Sequence, residues 1–304
     1  MRKLLCALLL LAMGTSGVAW GASRVIFERE GNIRLSDMSG ANPVLLGKGY
    51  DAEISPDGRS VAFTDYRQGR KIAVMDVATK KVRVLAAVPG DNSYGPRWSP
   101  DGTKLVFNHW IEEKSQWVPG VIDATGKNLK IFRMDTEGGV HSPFWAHDGM
   151  SVYAQDLSTL YRFDTNGKLL ESRPLDPIVG KAGISSATRF CVSADGSAWI
   201  FDGDVDEPDN PISKAWGEPI AGVFLHTPAD GRTIRISPKG MSASAPSWAP
   251  DGKSVLFCGV RPEDVRKKGK NVTFASHIFV MPLNGTPELL VRDASNPSVA
   301  TNRE

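Results

Sequence analysis

Cysteine is scarce in this chain, with three among 304 residues. A disulfide-dense scaffold and a cysteine-rich metal module are both excluded by that count. Charge of one sign is also lacking, since 36 Lys and Arg face 34 Asp and Glu for a formal net charge of +2. Arg2 and Lys3 carry that excess, so the chain beyond residue 21 is formally neutral and offers no field for nucleic acid or an anionic membrane surface. No apolar run approaches the roughly 20 residues of a membrane span, and no stretch sustains helical periodicity. There is no Gly-x-Ser-x-Gly nucleophile elbow and no phosphate-cradling glycine loop. An Asp box fails as well, because Ser193-Ala194-Asp195-Gly196 puts glycine directly after the aspartate.

What is present begins with Met1-Arg2-Lys3, an apolar run from Leu4 to Met13 and a small-residue stretch ending at Ala19-Trp20-Gly21. A charged start, a short apolar core and an Ala-x-Gly site read as a signal peptide over 1–21, cut before Ala22. Residues 22–304 then form a single domain, exported to an oxidising compartment in which Cys191 and Cys258 remain. A disulfide between them and two separate buried thiols are both open.

The dominant feature is a recurring turn. Ser55-Pro56-Asp57-Gly58 returns as Ser99-Pro100-Asp101-Gly102, Ala146-His147-Asp148-Gly149, Ser193-Ala194-Asp195-Gly196 and Ala249-Pro250-Asp251-Gly252. The aspartates are spaced by 44, 47, 47 and 56 residues. Proline presets one turn dihedral, aspartate bonds its own backbone, and glycine takes the left-handed position. Apolar runs flank each turn, as in Asp51 to Ile54 and Ser60 to Thr64, and a second hairpin follows, as in Lys71 to Asp76 and Lys81 to Leu85. Four strands per unit at this period is the requirement of a propeller blade.

The spacing gives an all-β, six-bladed propeller of four-stranded blades. Blades two to six span about 49–88, 95–134, 142–174, 188–237 and 244–291. Residues 23–48 supply three strands of the first blade, and the stretch from Leu290 to Val299 repeats the lead-in to a new blade. The terminal strands are therefore expected to share one blade and close the ring. Trp98, Trp145 and Trp248 stand three residues before a turn aspartate, a fixed place in the innermost strand that reads as inter-blade core.

The segments Pro96-Arg-Trp-Ser-Pro-Asp-Gly-Thr-Lys-Leu-Val-Phe107 and Pro246-Ser-Trp-Ala-Pro-Asp-Gly-Lys-Ser-Val-Leu-Phe257 resemble the repeats of the TolB-type propeller family, related to WD repeats. The resemblance covers nearly all of the chain after the leader and implies a periplasmic, six-bladed fold. It departs from TolB in having no α/β domain between leader and propeller. It implies no single function, because the same repeat serves envelope binding proteins, propeller lyases and peptidase gating domains.

The loops from fourth to first strand and from second to third strand share one face around the channel mouth, opposite the repeat turns, and binding is expected there. Tyr94, Arg97, His141 and Arg189 lead into that mouth, with His109 on the same side. His147 falls on the opposite face, His226 in a strand and His277 at the start of a third strand. Three second-to-third connections are long. One runs from His109 to Trp117, one from Asp202 to Trp216, and one from Arg261 to Lys270. Trp110, Trp117 and Trp216 in these polar stretches read either as an exposed hot spot or sugar platform, or as side chains folded back on the rim. Asp202, Asp204, Asp206 and Asp209 alternate as a calcium ion would require, but Glu207 and Ser213 stand where an EF-hand loop needs Gly and a bidentate acid. The competing reading is a solvated acidic loop, paired with the basic loop of the next blade.

Besides a structural module stabilised by such a calcium ion, two functional readings follow. The first is a monomeric, non-enzymatic, periplasmic module that binds a protein or envelope polymer on the loop face, with no cofactor, nucleic acid or membrane span. The second is a lyase or hydrolase of acidic oligosaccharides, with Arg97 and Arg189 on the carboxylates and His141 as base.

Overall fold

The structure is a computed structural model and describes residues 23–134, 138–268 and 271–300. The leader expected over 1–21 lies outside the described residues, as does Lys270. Six four-stranded antiparallel sheets form the ring. Their innermost strands are Ser295–Val299 in blade 1, Tyr50–Ile54 in blade 2, Ser93–Trp98 in blade 3, His141–Trp145 in blade 4, Phe190–Val192 in blade 5 and Ser242–Trp248 in blade 6. Each innermost strand packs on the next around a central channel. Ser295–Val299 pairs antiparallel with Arg24–Arg29, setting Val299 opposite Val25, so the terminal strands close blade 1 as the repeat spacing requires. No helix among the described residues is long and apolar enough to cross a membrane.

The repeat turn is held by its own side chains. Asp57 accepts the Ser55 hydroxyl at 2.6 Å and the Arg59 amide at 3.0 Å, while Gly58 sits at φ 71°. Asp101 and Asp195 repeat the same pair of bonds. The two copies that begin with alanine lose the serine bond and keep the amide bond, from Met150 to Asp148 and from Lys253 to Asp251. Six residues beyond the turn aspartate, Phe63, Phe107, Phe201 and Phe257 are at most 1% exposed and fill the space between blades. Burying each such ring stabilises the fold by about 1.5–3 kcal/mol.

Trp98, Trp145 and Trp248 are inter-blade residues, as expected, and each is also a latch. Their indole nitrogens donate to the carbonyls of Glu53, Arg97 and Cys191 at 3.0, 3.0 and 3.2 Å, all on the preceding blade. A second ring of contacts lies seven residues beyond the turn aspartate, at Thr64, Asn108, Gln155, Asp202 and Cys258, with Glu28 in the same place in blade 1. Every one reaches the next blade. Thr64, Asn108, Asp202 and Glu28 accept the amides of Gly95, Ser142, Ala245 and Ala52 at 3.1, 3.1, 2.7 and 2.9 Å. Gln155 donates to the Ser185 carbonyl, and Cys258 Sγ faces the Ala294 carbonyl. These side chains brace a kink in the inner strand, where Asp51, Gly95, Ser142, Ala245 and Asn296 are left-handed at φ 54°, 65°, 49°, 50° and 50°. Pairing with the second strand shifts register there in five blades. Blade 5 alone is unkinked, and Arg189 occupies its equivalent position.

Two expectations about the long connections are corrected. The stretch from His109 to Trp117 is not a loop: Lys104–Ile111 and Gln116–Asp123 run as a long hairpin with Trp110 opposite Trp117, and only Glu112–Lys114 and the left-handed Ser115 form its tip. Among the described residues the acidic stretch of blade 5 is not paired with the basic stretch of blade 6. Glu207 binds Arg235 of its own blade and Asp209 binds Lys214 at 3.0 Å. The rest of that stretch is the helix Pro211–Trp216, capped by the Asn210 side chain. Blade 6 adds a hairpin, Val265–Lys268 with Asn271–Phe274, against which the helix packs to make a small satellite core around Ile212, Ile220 and Val260. Cys191 and Cys258 are separate thiols.

Candidate functional site

The central channel holds two cavities divided by a waist. The loop-face cavity, about 310 Å³, is lined by Asp51, Tyr94, Asn108, Ser186, Thr188 and Asp202 among others. The turn-face cavity, about 300 Å³, is lined by Trp98, Trp145, Trp248, Pro56, Pro100 and Pro250 among others. Arg97, Arg189 and Phe190 border both. Arg97 Nη1 binds Glu53 Oε2 at 2.9 Å, and Arg189 Nη2 lies 3.9 Å from the same oxygen. Blades 2 and 5 stand opposite one another in a six-membered ring, so Arg189 spans the channel to meet Glu53. Burial works against the Arg97 cation, yet Glu53 overrides it and holds the group above its ordinary value. For Arg189, burial and then the neighbouring Arg97 charge push the pKa down.

A shelf of aromatic rings adjoins this cavity. Tyr94, which lines the cavity wall, meets Trp117 edge-on at 5.1 Å, and Trp117 meets Trp110 at 5.1 Å. Arg70 lies over Tyr94 at 4.8 Å and over Trp117 at 5.2 Å. The pair Tyr50 and Tyr66, 5.1 Å apart, stands about half exposed on blade 2, with Tyr66 bonded to Arg70. Hairpin register explains the shelf: opposite residues of an antiparallel pair share a face, which sets Trp110 beside Trp117. Trp216 is elsewhere, 42% exposed and tilted against Phe274 with ring centroids 4.7 Å apart. Tyr94, Trp110 and Trp117 thus come together, and Trp216 does not join them.

The remaining expected residues divide similarly. Arg97 and Arg189 line the loop-face cavity, whereas His141 does not; its neighbours Ser142 and Pro143 do. Burial lowers the His141 pKa, and its Nδ1 is buried without a partner. His109 is buried and bonded to Ser93 at 2.8 Å, also outside the cavity. His226 bonds Thr233 at 2.9 Å. His277 accepts the Asp293 amide at Nδ1, which fixes the proton on Nε2 toward Asp264. In the acidic run, both Asp202 oxygens accept backbone amides, from Arg189 at 2.6 Å and Ala245 at 2.7 Å. Asp204 and Asp206 are exposed and Asp209 is ion-paired. Among the described residues no three His, Cys, Asp or Glu side chains converge as a metal site.

Glu53 and Arg70 were not legible as site residues, nor was the turn-face cavity. The register signal for Glu53 was available: it stands four residues before its turn aspartate, the place Arg97 holds in the next blade. The turn-face cavity had one too, in tryptophan three residues before, and proline one residue before, the aspartates.

No family model matches the chain, and no curated protein sequence does either. Solved structures share its fold. TolB from Acinetobacter baumannii superposes with a TM-score of 0.64 at 16% identity, over 93% of this chain and 67% of that one. A protein of Agrobacterium tumefaciens assigned to TolB does so with 0.56 at 14% identity, over 89% of both. An oligogalacturonate lyase in complex with manganese gives 0.51 at 16% identity, over 86% of this chain and 70% of that one.

Proposed function

We propose that this propeller is a non-enzymatic binding module of the periplasm that takes a protein or cell-envelope polymer on its loop face. The observation that carries the reading is the shelf of Tyr94, Trp110 and Trp117 with Arg70 at the rim of the loop-face cavity. Aromatic rings and arginine gathered beside a concave site are the side chains that dominate binding energy at interfaces. Export rests on the charged, apolar and small-residue order of 1–21. The TolB-like fold is compatible with this role and with others. Trp110→Ala combined with Trp117→Ala is expected to abolish retention of the partner in affinity capture from native envelope. Undiminished retention would remove the shelf from the account.

A second reading, an enzyme of acidic oligosaccharides at the channel mouth, draws on one observation: Arg97 and Arg189 both line the loop-face cavity. The position of His141 outside that cavity counts against it as the base. Turnover of uronic-acid oligosaccharides by the unmutated protein, lost in His141→Ala, is what this reading requires.

A further inference from the structure

One buried cation at the channel waist has more hydrogen-bond donors than partners. The Arg189 side chain is 9% exposed, and its Nη2 lies 3.9 Å from Glu53 Oε2, beyond hydrogen-bond reach. That carboxylate is already engaged: Oε2 accepts Arg97 Nη1 at 2.9 Å and Oε1 accepts the Trp98 amide at 3.1 Å. Asp202 gives both oxygens to backbone amides, and Asp51 accepts the Thr64 hydroxyl at 2.7 Å. The Arg189 Nε is buried with no partner. Its guanidinium touches the Cys191 thiol, a weak acceptor.

A guanidinium carries five N–H donors and keeps its charge, so burying one without acceptors is costly. The neighbouring blades show how the fold avoids that cost. Where Arg189 stands, blades 2, 3, 4, 6 and 1 carry Asp51, Gly95, Ser142, Ala245 and Asn296, none of them a cation. The kinked strand of those blades is braced by the preceding blade; the blade 5 position instead aims a long cation across the channel. Nothing in the ring architecture demands it.

We propose that the channel waist is a carboxylate-binding site, in which a small carboxylate-bearing ligand enters the loop-face cavity and seats its oxygens on the Arg189 guanidinium. Planar two-oxygen groups match the fork of arginine donors. Glu53, Asp202 and Asp51 surround the seat, so a head group that brings one negative charge to it, as each carboxylate of a dicarboxylate does, is favoured over a phosphate that brings up to two. The cavity, about 310 Å³, lies at the small end of ligand pockets and selects a compact molecule or a single acidic group. The direction of entry rests on the loop face being the binding face; the seat itself does not.

The test uses the purified protein with sodium succinate, and with inorganic phosphate and sodium chloride at matched ionic strength for comparison. Succinate is expected to raise the unfolding temperature above the chloride control, and phosphate to raise it less. Arg189→Gln should weaken succinate binding about tenfold or more by calorimetry. Without ligand, its unfolding temperature should stay near that of the parent, because the guanidinium has Glu53 only at 3.9 Å and otherwise touches the weak Cys191 acceptor. Arg97→Gln, which breaks the Glu53 pair, should lower the ligand-free value and so separates folding from binding. The proposal is overturned by no succinate-specific rise, by an undiminished rise in Arg189→Gln, by stronger protection from phosphate, or by an Arg189→Gln protein destabilised as much as Arg97→Gln. Trp110→Ala with Trp117→Ala lies outside the cavity lining. It should keep the succinate response while losing partner retention, so failure of one reading does not carry the other.

Discussion

The two ends of the channel are built on opposite principles. At the turn end the same parts recur blade after blade: Asp57, Asp101 and Asp195 bind the same serine and amide, and Trp98, Trp145 and Trp248 latch the preceding strand. At the loop end the parts differ. One hairpin is long and aromatic, one connection folds into a helix, and one extends into a second hairpin. Asp202 and Arg189 compress the contrast into two residues of one blade. Both are ionisable and line the same cavity, yet Asp202 is satisfied twice over and Arg189 has an orphaned nitrogen. A charge that is fully bonded belongs to the architecture; one left open marks where a partner is wanted.

Removing a bonded member should cost most. Asp202→Ala leaves the Arg189 and Ala245 amides without acceptors, at about 1–3 kcal/mol each. Chemical denaturation should therefore show a loss of roughly 3–5 kcal/mol, with Asp202→Asn intermediate because one acceptor survives. Next comes Glu28, which braces Ala52. Burial raises its carboxyl from 4.5 to about 7, against the pull of the Ala52 amide. The folded chain thus holds a proton that the unfolded chain releases near pH 4.5, so this stability is complete below that pH and drains away as pH rises through about 7. The slope amounts to something of the order of 3 kcal/mol, and Glu28→Gln should flatten it in a series of pH-resolved melts. Trp145→Phe keeps an aromatic ring but drops the indole N–H bonded to the Arg97 carbonyl and some buried volume, with an expected loss of about 1–2 kcal/mol. Arg189→Gln closes the series near zero, and a large loss there would erase the distinction between the two ends.

The sequence was most readable where the structure is most repetitive. Five turn aspartates sufficed for six blades and ring closure, because a proline–aspartate–glycine turn has few conformations open to it. The same register marks the bracing ring seven residues on, although its variety, from threonine to glutamine to cysteine, hid it. The loop face was read less well. Trp110 and Trp117 sit among Glu112, Glu113 and Lys114, whose polarity suggests a loop, yet those residues are only the tip of a hairpin. The meeting of Glu53 with Arg189 joins residues on opposite blades, and no local pattern reports a contact made across a ring. His141 leads toward the mouth in sequence, but the left-handed Ser142 puts its neighbours on the cavity wall instead.

Paired capture experiments with one variant at each end test the central claim most directly. Partner retention from native envelope should be lost in Trp110→Ala with Trp117→Ala, on the loop face, and unchanged in His147→Ala, on the turn-face cavity. Retention lost through His147 and kept without the two tryptophans would place the binding face at the wrong end of the channel.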